Sequence, residues 1–421
     1  MGFSLQRKKK LLSAFRFQLK KMIMLTIGEA LEKIGRYAGS FGIEKIALED
    51  SLHRVLAADI LADRDYPPFN RSAMDGFAVR ADDLQLSRPL RIIRDLHAGD
   101  VFDHTLQAGE CVRIMTGAPV PDGADAVVRI EESQPGDGVV TFPGVQAKPG
   151  QNIAFRGEDV KIHDRMLSKG SLITAAHQAM LAVTGCGEVP VAKLPRMIVY
   201  STGNEVQPLR QQVMPHHIRD SNSYALRGLL QAYRINTAVN NPLPDDPALL
   251  SDAFRKGLAY DIMIISGGVS KGVADHVPGV LQELGVKELF HRVRIKPGNP
   301  LWAGISGNRK MVFALPGNPV SVQVAFKIFI EPFIRSCLGL PLLQPCYFPM
   351  HVSRQPRIGF DEYFPAALQR SKAYTSVYPI AYNGSGDIMA TAHSEGIAWH
   401  PAGAGQLAAQ TPVAFYPWHH L

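Results

Sequence analysis

The chain reads as a multidomain protein of the α/β plus β class. Its 421 residues exceed what one ordinary core supports and suggest roughly two to four domains. Between about Pro195 and Leu340, apolar strand patterns alternate with helical ones, as in a doubly wound α/β domain with a parallel sheet covered on both faces. Before and after that segment, short strands punctuated by Gly and Pro mark β-rich stretches.

Each element follows from its own pattern. Ile27, Ala30, Leu31, Ile34 and Tyr37 recur at helical spacing within Leu25 to Ser40. A short strand is expected over 44–48, and a second helix over 51–58, with Leu52, Val55 and Leu56 on its apolar side. Tyr66-Pro67-Pro68-Phe69 interrupts regular structure. Strands then follow at 90–93, 110–114, 126–130 and 139–142, and a helix at 174–184 stops at Gly185-Cys186-Gly187. The α/β segment carries expected strands at 197–200, 235–239, 261–265 and 311–315. Its expected helices are 223–233, 247–259, 275–284 and 320–338. From Pro341 onward strands and turns return, as in a small all-β domain.

Composition narrows the class. The hydrophobic fraction is 46% and the charged fraction 20%, both ordinary for a globular protein. No run reaches the ~18 apolar residues that a spanning helix needs, so no membrane span is expected. The formal net charge is +7, yet Arg7, Lys8, Lys9, Lys10, Arg16, Lys20 and Lys21 carry that many positive charges in the first 23 residues. The body is near neutral, which argues against a nucleic-acid partner. Residues 1–23 lack the apolar run and cleavage site of a signal peptide. They read as a basic extension, a transit peptide, or an arm for a membrane surface or nucleic acid. The cysteines, Cys111, Cys186, Cys337 and Cys346, form no C-x-x-C pair and suit a reducing, cytoplasmic setting. The histidines show no zinc-type spacing, and no structural metal is assigned.

Unusual sequence gathers around the strand ends of the α/β segment. Ser201-Thr202-Gly203-Asn204-Glu205 follows the first strand, and Arg219-Asp220-Ser221-Asn222-Ser223 opens the first helix. Ser266-Gly267-Gly268-Val269-Ser270-Lys271-Gly272 follows the third strand, and Pro316-Gly317-Asn318-Pro319-Val320-Ser321 the fourth. Open α/β sheets bind ligands outside the carboxyl ends of their strands. Paired glycines admit a ligand to the backbone, and the next helix offers unpaired N–H groups to an anion. A tight βα turn is the alternative reading of the glycines. Asp220 reads as a helix cap, and the Asp245-Asp246-Pro247 pair as a helix start or as two adjacent acids for a divalent cation. Arg292, Arg294 and Lys296 alternate, so a strand there turns three cations to one face. That stripe suits an oxyanion, or a charged sheet edge.

Read together, these motifs resemble the molybdopterin molybdenumtransferase family, the molybdenum insertases related to the gephyrin E domain. The resemblance rests on Ser72-Ala73-Met74-Asp75-Gly76, the stretch 116–121, Gly157-Glu158-Asp159, Ser201-Thr202-Gly203, Asp220-Ser221-Asn222, Ser266-Gly267-Gly268-Val269-Ser270, Lys296-Pro297-Gly298 and Leu315-Pro316-Gly317-Asn318-Pro319-Val320-Ser321. They run in family order from about Met24 to the C-terminus. The resemblance implies a basic extension at 1–23 and a discontinuous linker and dimerisation domain at 24–62 and 147–190. It implies an inserted β-rich domain at 63–146, a molybdopterin-binding α/β domain at 191–340 and a β-barrel-like domain at 341–421.

It also implies a chemistry. The family works as a homodimer on adenylated molybdopterin and molybdate, hydrolysing the phosphoanhydride with Mg2+ and releasing molybdenum cofactor and AMP. Glu205, Asp245 and Asp275 would serve the cation and position water. Arg292 and Lys296 would serve the anions, with Asp75, Thr116 and Asp159 from the inserted region completing the catalytic set. Thr202, Gly203, Asp220, Ser221, Asn222, Gly267, Gly268, Ser270, Lys271, Gly272, Pro297, Gly298, Pro316, Gly317, Asn318, Pro319, Ser321 and Ser385 would bind the pterin substrate. The adenylyltransferase of the same pathway and recipient molybdoenzymes are the implied partners. Asn204, Lys271, His276 and Asn299 depart from the usual family residues, and arginines common near Pro365 are missing. The departures motivate a second reading, a non-catalytic pterin- or nucleotide-binding scaffold.

Overall fold

A computed structural model of the chain describes residues 24–85, 88–238, 240–269, 275–307, 309–356 and 359–419. Ser270, Lys271, Gly272 and the basic extension at 1–23 lie outside the described residues. The chain divides into two compact units, one comprising residues 1–45, 53–55 and 190–421, the other residues 46–52 and 56–189.

The first helix, α1 (Ile27–Gly35), starts where expected. Thr26 and Glu29 form a reciprocal capping box, and Ala30 and Ile34 are buried. The helix expected at 51–58 does not form. Ser51 instead closes a short 3₁₀ turn by donating its hydroxyl to Leu48 O at 2.6 Å, and His53 takes a left-handed φ of 62°, which no helix accommodates.

The unit containing 56–189 is built on a six-stranded sheet. Its strands are β1 (Gly76–Val79), β2 (Leu90–Leu96), β3 (Glu110–Ile114), β4 (Ala126–Arg129), β5 (Gln134–Pro135) and β6 (Val139–Thr141), in the order β4-β1-β3-β2-β6-β5. Phe77 and Phe142 meet edge to face at 5.7 Å in its core. Gly76 permits a close approach of β1 to β4, because a Cβ there would stand 2.0 Å from Val128 O. Helix α2 (Ala175–Val183), capped by Thr174, belongs to the same unit.

The other unit carries the α/β sheet. Its elements are β7 (Met197–Ser201), α3 (Asn222–Gln231), α4 (Pro247–Gly257), β8 (Ile262–Ser266), α5 (Val277–Glu283), β9 (Lys287–His291), β10 (Ile295–Lys296), β11 (Trp302–Ile305) and β12 (Met311–Leu315). The sheet order is β7-β8-β12-β11-β9. β7, β8 and β12 are parallel and buried along their length, as their continuous apolar runs require. The sheet is nevertheless mixed. β11 runs antiparallel to both β12 and β9, which corrects the all-parallel expectation, and Trp302 on β11 is fully buried. The strand expected at 235–239 is reduced to a single bridge between Thr237 and Met197, and Val239 lies outside the described residues.

The helical pattern at 320–338 proves to be three pieces in one run: α6 (Pro319–Ala325), a π-helical turn (Phe326–Ile330) and α7 (Glu331–Leu338), ended by Gly339 in the left-handed region. The remaining strands are β13 (Cys346–Pro349), β14 (Asp361–Arg370), β15 (Thr375–Pro379), β16 (Gly396–His400) and β17 (Pro412–Pro417). With β10 they form a second six-stranded sheet, ordered β10-β14-β16-β17-β13, with β15 beside β14. Beyond β13 the chain bridges Met350 to Val377 on β15, and His351 N–H donates to Val377 O at 2.8 Å. No helix among the described residues is long and apolar enough to cross a membrane.

Candidate functional site

The strand register sets the site. Ser201, Ser266 and Leu315 are direct neighbours across β7, β8 and β12, so three loops leave the sheet at one level. The ladder continues one step further. Thr202 N–H donates to Ser266 O at 2.8 Å and Gly267 N–H to Leu315 O at 2.9 Å. On the outer side, Gly203 N–H donates to Leu243 O at 3.1 Å and Leu243 N–H to Ser201 O at 2.8 Å. The loop before α4 therefore joins the same ledge, a role that Asn240-Asn241-Pro242 signals only as a turn.

Asp220 organises the entrance to α3. It is buried, and it accepts hydrogen bonds from Ser201 Oγ at 2.7 Å, from Ser223 N–H at 3.0 Å and from the Ser223 hydroxyl. Asn222 then spans two loops, its Nδ2 donating to Ser266 Oγ at 2.9 Å and to Gly317 O at 2.6 Å. Asp220 thus caps the helix, as sequence suggests, and also locks it to β7. Ser201 and Ser266, which the reading of single residues left aside, are the structural partners of Asp220 and Asn222 respectively.

The glycine turn closes tightly over Thr202. Gly267 takes φ 106° and Gly268 φ 67°. A Cβ on Gly267 would stand 2.4 Å from Thr202 O and 2.7 Å from Thr202 Oγ1. Thr202 is 4% exposed, and its hydroxyl has no hydrogen-bond partner among the described residues. A buried hydroxyl left unpaired is unfavourable by itself, so a partner from outside the described residues would stabilise it. His291 Nε2 lies 3.2 Å from Val269 O and steadies the same turn.

At the end of β12, Pro316 and Ser321 are buried while Gly317 and Asn318 are exposed. Ser385, from the loop before β16, reaches this point. Its carbonyl accepts from Val320 N–H at 3.1 Å, and its hydroxyl accepts from Asn318 Nδ2 at 2.7 Å. Asn318 and Val320, on either side of Pro319, thus tie Ser385 to the start of α6.

The acidic residues adjoin the ledge. The Asp245 carboxyl is pushed above its ordinary value of 3.8, chiefly by burial and further by the charges of Glu205 and Asp275, against a hydrogen bond from the Asn204 backbone and the opposing influence of His276. Asn204 replies with its side chain, Oδ1 accepting from Asp245 N–H at 3.0 Å. Asn204 therefore orients Asp245, a role its sequence position does not reveal. Among the described residues, no three His, Cys, Asp or Glu side chains close into a metal-binding group. Magnesium is held typically through one or two carboxylates plus substrate phosphates and water. Burial is the chief cause of the Asp245 shift, and the charges of Glu205 and Asp275 that add to it are the part such a cation would relieve, so the chemistry of these carboxylates fits it.

Asp245→Asn provides a pH test. Below 3.8 the native and unfolded carboxyls are both protonated. As pH rises from 3.8 to the elevated native value, the unfolded carboxyl ionises while the folded one holds its proton, so stability falls, and the loss is complete above the native value. Urea unfolding in chelator should find the variant more stable than the parent at neutral pH and equal to it in acid. A gain that is largest in acid would contradict this.

The basic residues depart from the expected stripe. Only Ile295–Lys296 is strand, and Arg292 takes φ 86°, which breaks the alternation. Arg294 and Lys296 are both exposed, whereas Arg292 is half-buried. Pro297 and Gly298 are buried, and Asn299 Nδ2 donates to Val293 O at 2.9 Å.

In the other unit, Asp75 and Thr116 are brought together. Asp75 Oδ1 accepts from Thr116 N–H at 2.6 Å and from its hydroxyl at 2.7 Å, bonds that hold the Asp75 carboxyl below its ordinary value. Asp159 is exposed, with its N–H donating to Tyr66 O at 3.1 Å.

Comparison with known proteins accords with this architecture. The family model described as "MoeA N-terminal region (domain I and II)" matches residues 25–185, and that described as "Probable molybdopterin binding domain" matches 198–336. The molybdopterin molybdenumtransferase of Staphylococcus epidermidis is 30% identical over 397 residues, covering 91% of this chain and 93% of the relative. That of Staphylococcus aureus is 30% identical over 400 residues, covering 92% and 94%. A crystal structure of a molybdopterin biosynthesis MoeA protein from Pyrococcus horikoshii OT3 superposes with a TM-score of 0.80 at 27% identity, covering 93% of this chain and 99% of that one. The ledge of loops on a mixed α/β sheet, the two family models and these near full-length relatives agree that the chain belongs to the molybdopterin molybdenumtransferase family.

Proposed function

We propose that the chain inserts molybdenum from molybdate into adenylated molybdopterin with release of AMP, a step in molybdenum cofactor biosynthesis. The observation that carries this reading is the Thr202 hydroxyl, buried and unpaired beneath the Gly267-Gly268 turn. It supplies a hydrogen bond to an oxygen of the bound phosphate, next to backbone N–H groups of the same turn. Asn222 keeps the three loops at a fixed spacing, so the phosphoanhydride meets a pre-formed cradle rather than ordering one. Gly203, Ser221, Gly317 and Asn318 line the same ledge, and the Ser385 loop restricts water at the start of α6. Lys296 and Arg292 attract molybdate, a dianion.

Glu205, Asp245 and Asp275 would hold Mg2+, whose charge supplies stabilisation at the phosphoanhydride oxygens. Asn204 keeps Asp245 oriented toward that task. In a homodimer, a second copy contributes the rigid Asp75–Thr116 pair, in which Asp75 stays ionised as an acceptor for a substrate donor. The setting of this chemistry is the cytoplasm.

A single-turnover assay with purified protein, adenylated molybdopterin, magnesium and molybdate tests the proposal, following AMP and metal in the pterin product. Molybdate-dependent AMP release is expected. Tight binding without AMP release would instead establish the non-catalytic scaffold. Thr202→Val separates ligand binding from folding. It removes a hydroxyl that has no partner, so unfolding free energy should change by less than about 1 kcal/mol, while affinity for adenylated molybdopterin falls about tenfold. Titration calorimetry beside urea unfolding reads both.

A further inference from the structure

The α/β sheet brings one further strand end to the ledge. β9 runs antiparallel to β11, and β11 antiparallel to β12, so β9 points the same way as β7, β8 and β12. Its last residue is His291. The register sets His291 opposite Trp302, Trp302 opposite Ala314, and Ala314 opposite Ile265. His291 therefore stands one residue inside the level of Ser266 and Leu315. Residues paired directly across a sheet share a face. Trp302, Ala314 and Ile265 pack with Val269 in one buried cluster, so His291 lies on the face where the glycine turn lands.

That placement accounts for the contact between ring and turn. Val269 is 1% exposed, and a carbonyl so buried needs a donor. His291 Nε2, at 3.2 Å, is its donor among the described residues, and facing a carbonyl it must carry the proton. The bond acts on the shape of the turn. Gly267 and Gly268 have no side chains to hold one conformation, so the shape is decided where the turn enters and where it leaves. Gly267 N–H on Leu315 O fixes the entry. His291 on Val269 O fixes the exit. A cradle of backbone N–H groups repels a phosphate if one of its peptide planes turns over and presents oxygen instead.

We propose that His291 is a positioning residue for phosphate binding. It keeps the Val269 carbonyl engaged with the protein and so holds the Gly267-Gly268 turn in the form that receives an anion. The role rests on the reading of the ledge as a phosphate site.

Titration calorimetry of the full chain with magnesium tests it, using adenylated molybdopterin and inorganic pyrophosphate as probes. Both carry a phosphoanhydride, and only the first carries a pterin. His291→Gln keeps an N–H donor close to the position of Nε2. His291→Leu and the unbranched His291→Met remove the donor, and the second serves if the first fails to fold. Each donorless variant should bind both probes about tenfold more weakly, the upper end of what one hydrogen bond confers. His291→Gln should stay within about threefold of the parent. AMP release at saturating adenylated molybdopterin and molybdate should change less than about threefold, since the filled cradle then holds the turn itself. A role confined to folding would leave the affinity of the folded protein unchanged. Donorless variants that bind like the parent, or a His291→Gln protein as weak as they are, would overturn the role of His291 and leave the phosphate reading intact. So would a loss that falls on the saturated rate and not on affinity. A parent chain that binds neither probe would overturn both.

Discussion

Gly267→Ala is expected to eliminate binding of adenylated molybdopterin and to lower the unfolding free energy by about 2–3 kcal/mol. The added methyl would stand 2.4 Å from Thr202 O, a backbone atom fixed by the sheet, and the residue holds φ 106°, which an L side chain resists. Neither strain has a cheap escape, because Thr202 N–H and Gly267 N–H both continue the ladder into neighbouring strands. Relief must come from the turn, and the turn is the proposed phosphate cradle. Calorimetric titration and urea unfolding of the variant would show the two losses together. A variant that binds and unfolds like the parent would mean that the turn yields freely, and would remove the argument for a pre-formed cradle.

Asp220→Ala should be comparably severe, at about 3–4 kcal/mol, since it strips acceptors from Ser201 Oγ, Ser223 N–H and the Ser223 hydroxyl inside a buried network. Asp220→Asn keeps one acceptor oxygen and should lose about half as much. The difference between the two variants matters more than either value. It separates loss of the acceptor from loss of volume, and thermal unfolding of both proteins measures it. If both variants lose the same amount, charge rather than acceptor count holds the α3 entrance in place.

Much of this was legible in the sequence because the physics is local. Apolar runs that stop at Ser201, Ser266 and Leu315 mark buried strands and their ends. Paired glycines, and the Asp-Ser-Asn-Ser run at 220–223, mark loops with specific backbone needs. What sequence did not disclose depends on distant partners. Lys287–His291 and Trp302–Ile305 carry no sign of direction, so their antiparallel pairing needed the sheet itself. Arg292 alternates with Arg294 and Lys296 on paper, but its left-handed backbone removes it from the strand. Asn204 looks like a lost acid until its oxygen is seen to receive the Asp245 N–H. The apolar spacing at 51–58 is real, but His53 turns the chain out of helical geometry.

The common level of Ser201, Ser266 and Leu315 implies a rule for how relatives of this chain can vary in length. One residue added to β7, β8 or β12 would raise its loop by ~3.3 Å and reverse the side chains beyond it. Thr202 would then no longer lie beneath the glycine turn, nor would Asn222 span Ser266 and Gly317. Insertions and deletions among descendants should therefore be absent from these three strands. They should gather at the opposite, amino end of the sheet and in the turns between helices, where a shift in length leaves the ledge level.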